Sequence, residues 1–532
     1  MRSVATSRKR KRRAKLGGRN DGRLGGGSEE ELNSVVRRAL AMATGEQYFR
    51  LAVNFASIIV VSRLLTPTEI GISVIGMGIT AIALGLREFA TSDFLIQREQ
   101  VTRDDIRASF TVAFVLTALI ASAIGLLAPW FGALYGEEKL AAFLRVCAAA
   151  ALVETVSFPA KGLLRRDMAF GALALINTAC AVVTAMVTVL LASLGFSYMS
   201  VAWATVAGSA ATAIACLYYN PDLSVFRPAF RSWDRVLTFG GYSGFSYVIN
   251  RAHESLPQLV LGQVLPASAV GLYNRAKLVS DIPDKVFLAS VSTIAFPALA
   301  AQVRKGSSLR EPYLQALGHV TVFYWPALVL LALLAYPVVS LVLGHQWLDV
   351  VPLFQIMAVA GLAWFPDMLT TPVLLAVNAN RDRVLAVLLT RSVSGVVLCV
   401  SAYFGIMAMA ASRLLTLPYQ MVLSLYFVRR HTSFQWRDLW SALWESAVVT
   451  ASSAVGPAIM VALSDSGFDL SIAATLVAVL LAGAGWFAGV LLTRHSILLE
   501  VAKAADGIAS TRHWRRLVGR IVAYAPKADE MG

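Results

Sequence analysis

RALAMATGEQYFRLAVNFASIIVVSRLLTPTEIG, residues 38–71, is a predicted membrane helix that carries polar and charged side chains at its centre. The segment between its flanking arginines has about 25 residues, which is enough to cross roughly 30 Å of hydrocarbon with some tilt. Glu46, Gln47 and Arg50 lie near the middle of that crossing. An ionised group at this depth is costly, so the helix face bearing Glu46 and Arg50 should look into a protein interior or a wet cavity. The alternative is an i,i+4 pair in which the two charges neutralise each other.

The whole chain has the composition of a polytopic membrane protein. Of its 532 residues, 57% are hydrophobic and only 15% are charged, which excludes an ordinary soluble domain. We predict an all-α fold with about 14 transmembrane helices. The predicted spans are approximately 39–63, 69–86, 108–130, 140–160, 168–194, 197–219, 239–264, 269–298, 314–343, 350–377, 382–404, 405–428, 446–464 and 469–493.

The distribution of basic residues predicts the orientation of these spans. Most of the 47 Lys and Arg residues fall in the leader, the tail and alternate loops, whereas the opposite loops contain only Arg63 and Lys139. Lysine and arginine accumulate on the cytoplasmic side of membrane proteins. We therefore expect an even number of spans with both termini in the cytoplasm.

The regions outside the spans are predicted to contact lipid. The net charge of +15 is concentrated in a Gly/Ser/Arg-rich leader, with RKRKRRAK at 8–15, and in a basic tail. Beside a membrane, such segments are expected to meet anionic inner-leaflet lipids rather than nucleic acid.

The predicted organisation is a disordered basic cytoplasmic leader at 1–37, an N-terminal six-helix bundle at 38–219, a cytoplasmic linker at 220–238, a C-terminal six-helix bundle at 239–428, an interfacial segment with helices 13 and 14 at 429–493, and a basic amphipathic cytoplasmic tail at 494–532.

The lead stretch has a second copy in the chain. LLTPTEIG at 64–71 aligns with VLPASAVG at 264–271, and each follows a span with charge at its centre. Arg50 falls opposite Asn250, next to Arg251. Because an even number of crossings separates the copies, the halves have the same orientation. They should be related by a pseudo-twofold axis along the membrane normal, with helices 13 and 14 as an addition.

These motifs resemble those of a known superfamily. SRLLTPTEIG, VLPASAVGLYNRAKL and FPALAAQ (296–302) are similar to signatures of the multidrug/oligosaccharidyl-lipid/polysaccharide (MOP) exporters, and the best match is the polysaccharide-transporter branch, the Wzx-type oligosaccharide flippases. The resemblance covers about residues 38–430. It implies two six-helix bundles around a central cavity that opens alternately to the cytoplasm and the periplasm. It also implies a bacterial inner-membrane location, an oligosaccharide on undecaprenyl diphosphate as cargo, and polysaccharide polymerase or glycosyltransferases as partners.

A diphosphate cargo requires cationic groups at mid-depth. Arginine suits this role because its planar fork donates to two phosphate oxygens at once. Within the predicted spans, basic side chains slightly outnumber acidic ones. The diphosphate candidates are Arg50, Arg251, Arg275 and Lys277. For Arg275 and Lys277, snorkelling to the periplasmic interface is the alternative.

Other polar residues of the spans are candidates for lining the cavity or for coupling: Glu46, Gln47, Asn250, Glu254, Asn274, Asp281, Lys285 and Asp367. Pro283 predicts a kink in the eighth span. Asp367 either couples movement to protons or caps a broken helix. Arg145, Arg391 and Arg413 are predicted to lie near span ends, where they snorkel or brace neighbouring helices.

The sequence predicts a transporter rather than an enzyme. It contains no Walker A sequence, glycine-rich nucleotide loop, paired external carboxylates or metal-ligand spacing, so neither a cofactor nor a metal is predicted. The predicted function is translocation of a lipid-linked oligosaccharide by alternating access. A MATE-like ion-coupled exporter of small cationic compounds is the alternative with the same fold. A membrane polymerase or ligase should show a large periplasmic loop, and a scaffold should tolerate loss of the midplane charges.

Overall fold

The architecture is helical throughout the part of the chain that the computed structural model describes, residues 26–87, 101–229, 248, 251–464 and 467–498, with the side chains of 26–44 and 288–294 excepted. No strand occurs among these residues. Ten of their helices are long and apolar enough to cross a membrane, or eleven if one bent pair counts as a single span. The chain is an all-α polytopic membrane protein, as predicted. The number fourteen stays a prediction, because the polar lead helix and the broken eighth predicted span are not among the ten and part of the seventh predicted span lies outside the described residues.

Seven helices form the first half of the molecule. They are α1 (Gly26–Leu64), α2 (Pro67–Gly85), α3 (Arg103–Leu134), α4 (Lys139–Thr155), α5 (Phe158–Arg166), α6 (Phe170–Ser193) and α7 (Met199–Tyr219). The pair α4 and α5 is bent by 46° and corresponds to the predicted fourth span. A 3₁₀ turn, Leu223–Phe226, lies in the predicted linker.

The start of α1 corrects the predicted leader. Residues 1–37 were expected to be disordered as a whole, but α1 begins at Gly26. Residues 29–43, EEELNSVVRRALAMA, are rich in Glu, Leu, Arg and Ala, which have high helix propensity. Elongation of an existing helix costs no new nucleus, so such a segment continues the membrane helix toward its N-terminus. Residues 1–25 lie outside the described part of the chain.

The described helices of the second half are shorter and more often interrupted. They are α8 (251–264), α9 (Ala267–Ser280), α10 (Ile282–Arg304), α11 (Arg310–Leu333), α12 (Ala335–Val342), α13 (Val350–Gly361), α14 (Asp367–Ala376), α15 (Asn380–Ala402), α16 (Ile406–Ala411) and α17 (Arg413–Thr432). The kink predicted at Pro283 is present as a break at Asp281, with Pro283 in the first turn of α10. A 3₁₀ turn, Leu362–Trp364, separates α13 from α14. The tenth predicted span is therefore interrupted, like the bent fourth span.

Two further helices, α18 (Trp436–Ala462) and α19 (Ile472–Thr493), pack against each other, and α18 packs along α11. Trp436, Trp440 and Trp444 are exposed on α18 at the helical spacing expected of an interfacial anchor. The predicted interfacial segment and thirteenth span form one helix, because no Gly or Pro interrupts residues 436–455. Most of the predicted basic tail lies outside the described residues.

The two copies of the motif contact each other where α2 crosses α9. A Cβ on Gly71 would collide with the backbone carbonyl oxygen of Ala267, and a Cβ on Gly271 would collide with that of Pro67. Only glycine permits so close an approach of two backbones. Each contact becomes the other when the repeat maps one half onto the other, so the crossing has local twofold symmetry.

A short turn of the second half covers the end of α1 beside this crossing. It is the 3₁₀ turn His345–Trp347, in which Trp347 is fully buried. The Nε1 of Trp347 and the Nε2 of Gln346 both donate to the carbonyl oxygen of Ser62, each at 2.6 Å. Ser62 lies in the last turn of α1, where carbonyls lack partners within the helix. We call the α2–α9 crossing and this turn the roof.

Candidate functional site

A cavity of about 1070 Å³ lies between the two halves. Its walls come from α1 and α6 of the first half and from α9, α10, α14 and α15 of the second. On α1 the lining runs from Gln47 to Ile58, so it stops one turn before Ser62 in the roof. We call this space the central cavity. Its polar and charged lining residues are Gln47, Tyr48, Arg50, Asn54, Ser57, Thr184, Thr188, Lys285, Trp364, Asp367, Thr371 and Arg391.

The charged side chains of the central cavity are mostly basic. Its described lining contains Arg50, Lys285 and Arg391 but a single carboxylate, Asp367. Arg50 forms the i,i+4 ion pair with Glu46 at 3.5 Å and still has 43% of its side chain exposed. The structure therefore contains the pair weighed from the sequence and also places Arg50 in the cavity wall.

Arg391 is a cavity residue that sequence reasoning missed. It is predicted to lie near a span end, but it is the tenth residue of the predicted span 382–404 and the middle residue of α15, which runs from Asn380 to Ala402. The Nδ1 of His253 lies 3.0 Å from the backbone carbonyl oxygen of Arg391. The predicted and observed limits of this helix differ by only two residues, so a count along the predicted span also puts Arg391 near mid-depth.

A smaller cavity of about 290 Å³ lies within the second half. Asp281, at the break between α9 and α10, pairs there with Lys277 at 3.2 Å and with Arg413 at 3.6 Å. Charges inside a membrane protein are tolerated when they are paired in this way. Lys277 is therefore engaged with Asp281 and does not line the central cavity. Lys285 and Trp364 line both cavities and connect them. We call Lys277, Asp281 and Arg413 the ion network.

Arg251 lies at the start of the described part of α8. It pairs with Glu254 at 3.3 Å, and its Cγ would be 3.5 Å from a Cβ on Gly85 at the end of α2. Arg251 is not among the lining residues of either cavity, Glu254 lines the smaller one, and Asn274 lines neither. Asn250, the predicted symmetry partner of the lead-helix arginine, lies outside the described residues.

Arg275 is buried in the roof. Only 6% of the residue is exposed, and its guanidinium carbon lies 5.7 Å from the ring centroid of Trp347. It lines neither cavity. The four diphosphate candidates from the sequence thus occupy four different places in the fold, and only Arg50 lines the central cavity.

Asp367 lies in the first turn of α14, after the 3₁₀ turn that interrupts the tenth span, and faces the central cavity. The hydroxyl of Ser424 donates to its Oδ1 at 3.0 Å. The residue is thus both at the start of a broken helix and within reach of a cavity ligand. Both roles predicted for it remain open.

Two helical halves around a charged cavity are the arrangement of multi-pass secondary transporters. The chain belongs to the family described as polysaccharide biosynthesis protein, which matches residues 60–352. Its predicted place in the Wzx-type branch of the MOP exporters is confirmed by this match and by the relatives that follow.

Three relatives are similar to part of the chain. The lipopolysaccharide biosynthesis protein WzxC of Escherichia coli K12 is 23% identical over 316 residues, which is 59% of this chain and 64% of WzxC. The teichuronic acid biosynthesis protein TuaB of Bacillus subtilis 168 is 21% identical, over 62% of this chain and 70% of TuaB. The succinoglycan biosynthesis transport protein ExoT of Rhizobium meliloti 1021 is 23% identical, over 58% of this chain and 62% of ExoT. The match spans less than two thirds of WzxC and of ExoT.

Two solved structures share the fold. The lipid II flippase MurJ, in an inward closed conformation, matches with a TM-score of 0.70 at 11% identity, over 86% of this chain and 99% of MurJ. An inward-facing MATE multidrug transporter of the MOP superfamily matches with a TM-score of 0.56 at 15% identity, over 73% of this chain and 98% of the transporter. At such identities the likeness shows the fold alone.

Proposed function

We propose that the protein moves an oligosaccharide linked to undecaprenyl diphosphate from the cytoplasmic to the periplasmic leaflet by alternating access, for envelope or exopolysaccharide biosynthesis. The observation that carries this proposal is the central cavity, with three basic side chains against one acidic side chain in its described lining. The relatives named for lipopolysaccharide, teichuronic acid and succinoglycan biosynthesis support a glycan cargo. The fold shared with a lipid II flippase supports a lipid-linked one.

The diphosphate is the part of this cargo that the basic side chains recognise. Arg50 on α1 and Arg391 on α15 belong to different halves, and each guanidinium can donate two parallel hydrogen bonds to phosphate oxygens. Lys285 adds a third positive charge. In a cavity with low effective dielectric these charges attract an anion more strongly than they would in bulk water. Arg50, Lys285 and Arg391 form our proposed diphosphate site.

The roof closes one end of the path in this conformation. With both termini in the cytoplasm, as the basic residues predict, the roof is the periplasmic end. Rocking of the first half against the second would part the Gly71–Gly271 crossing and break the hydrogen bond from Trp347 to Ser62. The glycan would then reach the periplasm while the prenyl chain stays in the bilayer between helices.

Cargo binding is coupled to helix movement through Lys285. This residue lines the central cavity and lies one turn from Asp281, the helix break held by Lys277 and Arg413. An anion bound at Lys285 adds negative charge beside the ion network. It therefore shifts the conformational equilibrium at the break between α9 and α10. Asp367, the carboxylate of the cavity lining, is the candidate for proton coupling.

The same lining argues against a MATE-like exporter of cations, because a cationic cargo requires an acidic excess. The proposal also places the protein in the bacterial inner membrane without an enzymatic step of its own. The basic termini would contact anionic inner-leaflet lipids. A polysaccharide polymerase or glycosyltransferases would act beside it as partners.

A strain that lacks the protein but keeps its glycosyltransferases tests the proposal. We expect lipid-linked oligosaccharide to accumulate in a form protected from membrane-impermeant periodate added to spheroplasts. Expression of the wild-type protein should make it accessible. Equal accessibility with and without the protein, at equal amounts of lipid-linked glycan, would refute the proposal. Protein-dependent ethidium efflux with unchanged glycan accessibility would support the cation exporter instead.

A further inference from the structure

Arg275 is a buried cation without a counter-ion in the described part of the chain. Its one described interaction through the guanidinium is with the ring of Trp347, with 5.7 Å between the guanidinium carbon and the ring centroid. Its Nε is buried and has no hydrogen-bond partner. Arg413 in the second half, whose side chain is 14% exposed, is by contrast paired with Asp281 at 3.6 Å. A guanidinium removed from water and left unpaired is costly, so this conformation holds Arg275 in an unfavourable place.

The position of Arg275 on α9 relates it to the cargo path. Gly271, Arg275 and Leu278 follow one another at intervals of four and three residues and so share one face of α9. Leu278 and Ile282 line the central cavity, and Gly271 lies at the crossing. Arg275 therefore lies between the cavity wall and the closed crossing, one turn from each.

We infer that Arg275 belongs to a second diphosphate-binding site, which forms in the roof when the roof opens. The inference rests on the proposed function. Opening at Gly271 would expose the guanidinium and its planar fork, and a diphosphate leaving Arg50 would supply the missing counter-charge. Only the open roof offers that interaction, so the anion stabilises the open state relative to the closed one.

A wedge in the crossing tests this site with a simple probe, inorganic pyrophosphate. In Gly271→Leu the new side chain collides with the carbonyl oxygen of Pro67 and should hold the roof open. We expect the purified Gly271→Leu protein, in nanodiscs of phosphatidylcholine, to bind pyrophosphate at least tenfold more tightly than Gly271→Leu with Arg275→Gln. In the wild-type background, where the closed roof keeps Arg275 buried, the same substitution should weaken pyrophosphate binding less than it does in Gly271→Leu.

Equal affinities of Gly271→Leu with and without Arg275→Gln would overturn the inference and leave the proposed function untouched, because the anion would then be held by Arg50, Lys285 and Arg391 alone. Gly71→Leu opens the same crossing from the other half, where its side chain collides with Ala267. It replaces Gly271→Leu if that variant does not fold.

A single substitution gives a second measurement that needs no wedge. Arg275→Met removes an unpaired buried charge at similar volume, so it should raise the thermal midpoint by about 2 °C or more while periplasmic delivery of glycan falls at least tenfold. Arg413→Met is the matched control: it removes a paired buried charge and should lower the midpoint. Unchanged delivery by Arg275→Met, whatever its midpoint, would overturn the inference. Delivery by the wild-type protein is measured in the same assay. If the wild-type protein delivers no glycan, the proposed function fails, and this outcome is distinct from unchanged delivery by Arg275→Met.

Discussion

Gly71 and Gly271 make the same contact from opposite halves of the molecule, each against a backbone carbonyl of the other half's motif. A Cβ on Gly271 would also lie 3.2 Å from the backbone nitrogen of Gly71, so the two glycines are direct neighbours. The motif at residues 64–71 and its repeat at 264–271 therefore form the two sides of one contact between the halves. At this point the two halves touch backbone to backbone, so a side chain placed on either glycine should force them apart.

Substitution of Gly71 by Leu should hold the roof open. The four native cysteines are first replaced by Ala, and Ser62→Cys then reports on the roof because Ser62 is fully buried. We expect a membrane-impermeant maleimide to label Ser62→Cys from the periplasmic side at least tenfold faster in Gly71→Leu than without it. Gly125→Leu on α3 is the control, since no atom lies within 4 Å of its added Cβ. Identical labelling in the two leucine variants would contradict the roof.

Trp347→Phe removes one hydrogen bond of the roof and keeps an aromatic ring in place. The lost bond to Ser62 is worth about 1 kcal/mol, so the open population should rise about fivefold. The labelling rate of Ser62→Cys measures the open population. Trp486→Phe loses a bond of the same kind, from Nε1 to the carbonyl oxygen of Val322 at 2.8 Å, outside the roof. Trp486→Phe should lower stability by a similar amount without faster labelling of Ser62→Cys. An equal labelling rate in the two tryptophan variants would contradict the prediction.

Arg391→Ala should reduce glycan delivery more than tenfold. Hydrogen bonds to charged groups contribute about 1.5–3 kcal/mol each, and the guanidinium offers two of them. Arg391→Lys should recover part of the rate, because the charge remains and only the fork is lost. Arg430→Ala removes an exposed arginine that pairs with Asp382 at 3.6 Å, and delivery should stay within twofold. Periodate accessibility in spheroplasts is the readout. Equal loss in both alanine variants would point to a general structural defect instead.

Three residues show how far the sequence predicts this structure. The repeat of the motif at Gly271 predicts that the two halves are related. The crossing can also be expected from the repeat, because close backbone packing depends on the glycine within each copy of the motif. The mid-helix position of Arg391 follows from the limits of its predicted span, but the cavity that it lines is formed by tertiary packing. The burial of Arg275 could not be predicted, since Trp347 reaches it only through tertiary packing, from a turn some 70 residues away.

Asp281→Asn should strongly destabilise the protein. It leaves Lys277 and Arg413 without their carboxylate, and breaking a buried ion pair by removing one partner costs about 3–5 kcal/mol. Thermal unfolding in nanodiscs measures the change. Asp104→Asn breaks an exposed i,i+3 pair with Arg107 at 3.6 Å and should shift the midpoint by about 1 °C or less. Equal shifts would show that the ion network contributes no more than a surface pair.

His495 predicts a loss of stability in acid. Burial, and to a lesser degree the neighbouring His319, lowers the pKa of its imidazole from 6.5 to about 4. The unfolded chain therefore binds more protons between these values, so stability is unaffected above pH 6.5 and falls as the pH drops toward 4. The expected loss is about 3 kcal/mol. His495→Gln should remove this part of the pH dependence in thermal unfolding scans, and the same slope in both proteins would refute the assignment.

The most direct test of the diphosphate site is transport by the purified protein in liposomes. The vesicles contain undecaprenyl diphosphate-linked glycan extracted from a strain that lacks the protein, and the glycan that becomes accessible to periodate outside is followed with time. We expect transport by the wild-type protein and a rate at least a hundredfold lower when Arg50 and Arg391 are both replaced by alanine. Transport at the wild-type rate by the folded double variant would contradict the proposed diphosphate site.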